Sequence, residues 1–308
     1  MSNLLAFNCF FFDVLLKYLT SLKEGINLLK KVINSNVYQN SDVIEKERKS
    51  FLFFHSSFFS SLLPEERLTL LQELENIEAQ KQKRPTYEVI VGEANKRLMN
   101  AGVVHKTGKI ILNERYLFEG KEEMYNPSTK EIVYTDVKGF NLRLLDTILH
   151  EQFHVLFHHI ISELEPDKGE IYRELKEYKT YFECHKVTEK QQQSDIKRGY
   201  YLYITNPDEY YAFKYAYENV LRIFDYFYEQ YGVDSSMSDY KDYQKQTRAI
   251  TEQSFFYDTG VQLSYEEIYK TLLTDWILKF AQRNCFNSYD VIHDVDKSKK
   301  LLNHYHAF

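Results

Sequence analysis

The stretch Leu144–Ile161, LLDTILHEQFHVLFHHII, constrains the fold more than any other part of the chain. Leu142, Leu145, Leu149, Phe153, Leu156 and Ile160 recur at helical spacing, and Leu144, Ile148, Val155, Phe157 and Ile161 extend the apolar surface almost all round. A helix that is apolar on every side belongs in the interior. Gly139 and Pro166 are the nearest breakers on either side, and Asn141 is the expected N-cap. Yet this helix carries His150, Glu151 and His154 at its centre. Buried ionisable groups need partners, because an unpaired charge out of water is costly.

The spacing of those residues names the kind of partner. His150-Glu151-Gln152-Phe153-His154 has the form H-E-x-x-H. Residues four apart share a helix face, so His150 and His154 can place two imidazole nitrogens on one metal ion. Glu151, one position on, can take a proton from a water held there. Two histidines do not complete a stable site, and a third protein ligand is required. The position ten residues after His150 is Ile160, which cannot serve. His158 continues the histidine stripe, but four residues rise about 6 Å, and three ligands from one straight helix strain a tetrahedron. It is read as a supporting or packing residue. Glu209 is the preferred third ligand: it shares a helix face with Ala212 and Ala216, small residues that let two helices approach closely. Asn206 can also serve as an N-cap with Glu209 completing a capping box. Glu218 and then Asp208 follow as candidates, and Glu163 lies too near the histidine helix in sequence.

These residues resemble the zincin metallopeptidases of the two-His, one-Glu (gluzincin-like) kind, and locally the ImmA/IrrE family. In that family the helix reads H-E-x-x-H-x-x-x-H, as His150–His158 does, and a later helix reads E-x-x-A-x-x-F-A. Glu209, Ala212, Tyr215 and Ala216 fit the second pattern, with Tyr in place of Phe. The interval between His154 and Glu209 is longer than usual there, and the Leu-Leu-Met-Pro that normally follows is missing. The resemblance implies zinc held by His150, His154 and Glu209, with Glu151 as general base in peptide-bond hydrolysis of a protein or peptide substrate. A further donor to the reacting carbonyl is expected from among His185, Tyr200, Tyr201, Tyr203, Tyr210 and Tyr211. A substrate strand could pair with a sheet edge at Glu131–Thr135. The competing expectation is a non-catalytic zincin fold, or a helical interaction module with structural histidines.

The rest of the chain suggests an α+β, predominantly helical protein: a zincin-like core of a small mixed sheet backed by the H-E-x-x-H helix, with helical N- and C-terminal additions. Three regions are expected: residues 1–84 helical, 85–225 the core, and 226–308 helical and packed on it. Scarce Gly and Pro, 10 and 5, argue against a turn-rich all-β fold. A formal net charge of −6 with no concentrated basic stretch argues against nucleic acid as a partner. Cys9, Cys184 and Cys285 form neither a disulfide framework nor a C-x-x-C site, which points to a reducing, cytoplasmic setting.

In chain order, Leu5, Cys9, Phe12, Leu16 and Leu19 mark an amphipathic helix that packs on the protein, with membrane association the secondary reading. Helices follow over residues 44–59 and from Pro64-Glu65-Glu66, a good helix start. Tyr87–Asn100 reads as a helix closed by Gly102, then short strands at Val103–His105, Lys109–Leu112 and Glu131–Thr135. Asn126-Pro127-Ser128 reads as loop. Ile171, Leu175, Tyr178 and Phe182 form a helical stripe, and the polar segment Thr188–Arg198 is expected to be a loop. Lys214–Tyr231 and Tyr265–Arg283 are further helices, the second opened by the capping box of Ser264 and Glu267. His293, His304 and His306 show no metal-ligand spacing.

Overall fold

A computed structural model describes residues 41–92, 101–104, 107–126, 131–163, 196–205 and 207–272. The expected N-terminal amphipathic helix, the Ile171–Phe182 stripe, the tail histidines and all three cysteines lie outside the described residues.

The first helical segment is broken where one helix was expected, into α1 (Ser41–Leu52) and α2 (Ser56–Phe59). Tertiary hydrogen bonds break it. His55 takes an extended backbone and its Nδ1 accepts the Ser57 N–H at 3.3 Å, while Asp234 accepts the Ser56 N–H. The Phe54 carbonyl accepts a hydrogen bond from Asn141 Nδ2 at 2.8 Å. α3 (Pro64–Gln82) opens at its proline, and the Glu66 carboxylate accepts the Leu63 N–H at 2.7 Å. It ends at Lys83, which is left-handed. Just beyond, Arg84 makes a fully buried two-armed ion pair with Glu75, at 2.6 and 2.8 Å.

The segment expected as helix from Tyr87 begins instead as a strand, β1 (Glu88–Gly92). Val89-Ile90-Val91 is a run of β-branched residues, which favours extended backbone. Residues 93–100 of that expected helix lie outside the described ones. Gly102, expected as a helix stop, sits within β2 (Ala101–Val104). β1 runs parallel to β3 (Lys109–Asn113) and β2 runs antiparallel to it, in the order β1-β3-β2. This is the small mixed sheet the sequence suggested. Asn113 then caps α4 (Glu114–Glu119), accepting the Arg115 and Tyr116 N–H groups.

The strand expected near residues 131–135 is present as β5 (Glu131–Asp136), but in a separate two-stranded ribbon with β4 (Lys121–Asn126). β4 has no counterpart among the strands expected from the sequence. α5 (Phe140–Glu163) follows and is buried from Asn141 to Phe157 except at Thr147. Asn141 is not its N-cap: Phe140 already belongs to the helix, and the Gly139 carbonyl accepts from Arg143 N at 3.0 Å. That leaves the Asn141 side chain free to reach Phe54.

α6 (Ile196–Ile204) starts inside the stretch expected as loop. α7 (Pro207–Tyr231) begins before Lys214, at its own proline, and α8 (Met237–Thr259) follows. α9, residues 265–272 as far as described, has the expected capping box: Glu267 Oε2 accepts the Ser264 N–H at 2.9 Å.

One apolar core runs from Phe51 to Tyr240, crossing residues 84 and 226 without a break. Leu71 of α3, Ile110 and Leu112 of β3, Leu145 and Ile148 of α5, and Val220 of α7 meet in it, all fully buried. The described fold is α+β and predominantly helical. Among the described residues no helix is long and apolar enough to cross a membrane.

Gly139 sets where α5 starts. Its φ is +62°, and a Cβ there would lie 3.2 Å from the Ser236 carbonyl oxygen and 3.2 Å from Tyr240 N. A side chain would meet both backbone strain and the start of α8. Gly139→Ala should therefore cost about 1–2 kcal/mol, read as a lower urea midpoint at unchanged m-value.

Candidate metal centre

α5 brings its functional groups to one face by helical spacing alone: Asp146, His150 and His154 lie four residues apart. α7 supplies the facing group. Ala212 and Ala216 are fully buried against neighbouring structure, and α7 makes the most extensive helix contact with α5 among the described elements. The close approach carries Glu209, in the first turn of α7, onto the histidine pair.

His150 Nε2 and His154 Nε2 lie 3.0 Å apart. Glu209 Oε2 lies 3.3 Å from the first and 3.6 Å from the second. Ligand bonds of about 2.0–2.1 Å opened at the tetrahedral angle put donor atoms about 3.3–3.4 Å apart. The triangle is close to that spacing. All three residues are buried, and Oε2 has no hydrogen bond of good geometry to either imidazole or to any other group. An orphaned buried carboxylate oxygen is costly, and a cation at the centre of the triangle would satisfy it. These residues could hold a metal ion. Burial acts to raise the Glu209 pKa, but His154 and His150 outweigh it and hold the carboxyl well below its usual range.

Glu151 is also buried, 8 % exposed, on the helix turn that carries His150. The Phe213 ring lies 4.4 Å from the His150 ring and walls the site on the α7 side. Of the other proposed ligands, Glu218 is exposed on the outer side of α7, 3.8 Å from Lys214. The side chains of Asp208 and Glu163 lie outside the described ones. His158 is half-buried beside the Phe157 ring and does not join the group. It sits a further turn along the helix, too far for the same ion.

The tyrosines separate in the same way. Tyr201 faces α8, edge-on to Phe255 at 5.2 Å. Tyr210 stacks on Tyr269 at 3.6 Å, and Tyr211 lies edge-on to Tyr269 at 6.1 Å. Burial pushes the Tyr200 hydroxyl above its usual value. Tyr203 meets the Phe213 ring edge-on at 6.5 Å, and burial together with the field of Glu209 and Glu151 pushes its hydroxyl well above the usual value. His185 lies outside the described residues.

The sequence reading missed Asp146, although a lone acid one turn before His150 on an apolar helix was a usable signal. It is buried, and its Oδ1 accepts the Tyr240 hydroxyl at 2.6 Å. Arg143, also buried, pairs in two-armed fashion with Glu122 of β4 at 2.9 and 2.6 Å and lies 3.8 Å over the Tyr243 ring. This ties the β4–β5 ribbon to α5.

The chain matches no family model, no curated protein and no solved structure. The assignment of function therefore rests on the site itself.

Burial pushes the Asp146 carboxyl up from 3.8 to about 6, only partly offset by the Tyr240 hydrogen bond, His150 and Arg143. Between those two values the native state holds a proton that the unfolded chain has lost, so stability falls as pH rises through the window. Across it the loss attributable to this group is about 3 kcal/mol. Asp146→Asn should remove that slope. Urea unfolding of metal-free protein between about pH 4 and 7 should show the variant gaining on wild type as pH rises.

Proposed function

We propose that the protein is a zinc-dependent peptidase acting on a protein or peptide substrate. The observation that carries the reading is the convergence of His150 Nε2, His154 Nε2 and Glu209 Oε2 in the buried interior, with a fourth ionisable group, Glu151, buried on the same helix turn as His150. Two imidazoles and one carboxylate suit zinc, and three protein ligands leave a position open for water. The resemblance of the two motifs to the ImmA/IrrE metallopeptidases supports the same reading.

His150, His154 and Glu209 would hold the ion. Zinc, when bound in such a site, supplies Lewis acidity that lowers the pKa of water from about 16 towards 7 and polarises the scissile carbonyl. The chain's own part in the chemistry falls to Glu151. Its carboxylate accepts the proton of the attacking water and delivers a proton to the leaving amine nitrogen. Phe213 and the apolar flank of α5 limit competing water, which strengthens the electrostatics of the site. β2 is the outer strand of the three-stranded sheet beside α5, and an extended substrate segment can add to its edge.

Metal content and base chemistry separate under mutation. Purified protein should hold one zinc per chain, and His150→Ala or His154→Ala should abolish tight binding, measured by elemental analysis after dialysis. Stoichiometric zinc in the double variant, or iron in place of zinc in wild type, would overturn the assignment. Glu151→Gln should keep the zinc and lose nearly all turnover, read by proteomic cleavage profiling beside wild type. Loss of metal together with turnover would make Glu151 a ligand and not the base. Zinc bound with no cleavage by wild type would favour a non-catalytic binding module.

A further inference from the structure

His150 has two ring nitrogens, and the metal centre uses one. Nε2 lies 3.0 Å from His154 Nε2 and 3.3 Å from Glu209 Oε2. Nδ1 is buried and has no hydrogen-bond partner among the described residues. We propose that Phe213 is the positioning residue of His150: its ring, packed on the imidazole, holds Nε2 towards the ion in place of the hydrogen bond that Nδ1 lacks. The inference rests on the metal-centre reading and adds to it what fixes the first ligand.

The need for such a residue lies in the side chain itself. The second torsion of histidine is broad and roughly two-fold, so the ring can turn about Cβ–Cγ and carry Nε2 away unless something blocks it. A histidine that binds metal through one nitrogen almost always donates the other N–H to a carboxylate, a carbonyl or water, and that bond fixes the ring. His150 has no such bond. Asp146, one turn back on the same face, is engaged elsewhere: its Oδ1 accepts the Tyr240 hydroxyl at 2.6 Å and Gln244 Nε2 at 3.4 Å.

Packing takes the place of the hydrogen bond. The Phe213 ring centre lies 4.4 Å from that of His150 with the planes inclined at 57°, and the His154 ring lies 4.7 Å away at 78°. Aromatic rings at these separations are in contact, so the imidazole has little room to turn. Phe213 stands four residues after Glu209 on α7, as His154 stands four after His150 on α5. Ligand and ring therefore form one row facing the histidines. Fully buried Ala212 and Ala216 bring that row close, and the Tyr203 ring supports Phe213 edge-on at 6.5 Å. The consequence is chemical. An imidazole that donates no hydrogen bond to an anion is the less basic ligand, which leaves more of the ion's charge to act on water.

The test compares wild type, Phe213→Leu, Phe213→Tyr and Asp146→Asn. Zinc affinity is read by chelator competition, and ligand geometry by the visible absorption of the cobalt-substituted protein. Ring mobility is read in the metal-free protein by carbon relaxation of isotope-labelled histidine, with His150 assigned as the signal missing from His150→Gln. Phe213→Leu keeps apolar bulk and loses the ring. It should weaken zinc binding roughly 10–100-fold, change the cobalt spectrum and raise the mobility of the His150 ring, with that of His154 at the wild-type value. Phe213→Tyr should restore all of these, and Asp146→Asn should leave the His150 ring as ordered as in wild type. Unchanged affinity and ring order in Phe213→Leu would overturn the proposal, and so would equal loosening of both histidines, the mark of a general loss of packing. A His150 ring loosened by Asp146→Asn and not by Phe213→Leu would overturn it and assign the role to the acid. A wild type that binds no zinc would overturn the metal-centre reading and this one with it, whereas zinc binding without any Phe213 effect overturns this one alone. A wild type that binds zinc and shows the Phe213 effect, yet cleaves nothing, would end the peptidase reading and leave this one intact.

Discussion

The burial of α5 on nearly every side is the constraint on which the rest of the structure depends. Its apolar side chains anchor the main core, with Leu142, Leu144, Leu145 and Ile148 fully buried. Each fully buried aliphatic side chain of this size contributes about 1.5–3 kcal/mol. The same burial makes every polar residue on the helix costly unless another element comes to meet it. That requirement, more than apolar contact, determines which element lies where.

The polar residues of α5 bind its neighbours one at a time. Asn141 holds the α1–α2 junction through the Phe54 carbonyl, and Arg143 holds the β4–β5 ribbon through Glu122. Asp146 takes the Tyr240 hydroxyl of α8, and the Thr147 hydroxyl lies 3.2 Å from that of Tyr116 in α4. His150 and His154 then face Glu209 of α7. Apolar contact alone would tolerate slippage, whereas each of these pairs has one register. Buried polar pairs are modest or even unfavourable in net energy, so their value in this fold is the arrangement they specify. Glu209 differs from the others in keeping one buried oxygen, Oε2, without a hydrogen-bond partner.

That incompleteness connects structure to chemistry. Asn141, Arg143 and Asp146 have their demands met within the chain, while Oε2 of Glu209 does not. A site whose donors are already in place loses little entropy when an ion arrives, and a dry surrounding strengthens every charge within it. The fixed relation between α5 and α7 therefore serves two purposes. It packs the core, and it sets three donor atoms at the spacing of a tetrahedral ion.

Much of this was legible in the sequence because it is local. The helical period around Leu144–Ile161, the four-residue interval between His150 and His154, and the capping box at Ser264 all depend on residues within a few turns of one another. Even Glu209 could be singled out, because Ala212 and Ala216 mark a face made for close packing. The strand at Glu88–Gly92 was also written locally, in Val89-Ile90-Val91, but the helical reading of the longer segment obscured it. Tertiary structure alone decided the break at His55, which depends on Asp234 and Asn141, and the pairing of β5 with β4 in a ribbon apart from the sheet. Local periodicity tells a residue which face it lies on; what it meets there depends on elements distant in sequence, brought in by the burial of α5.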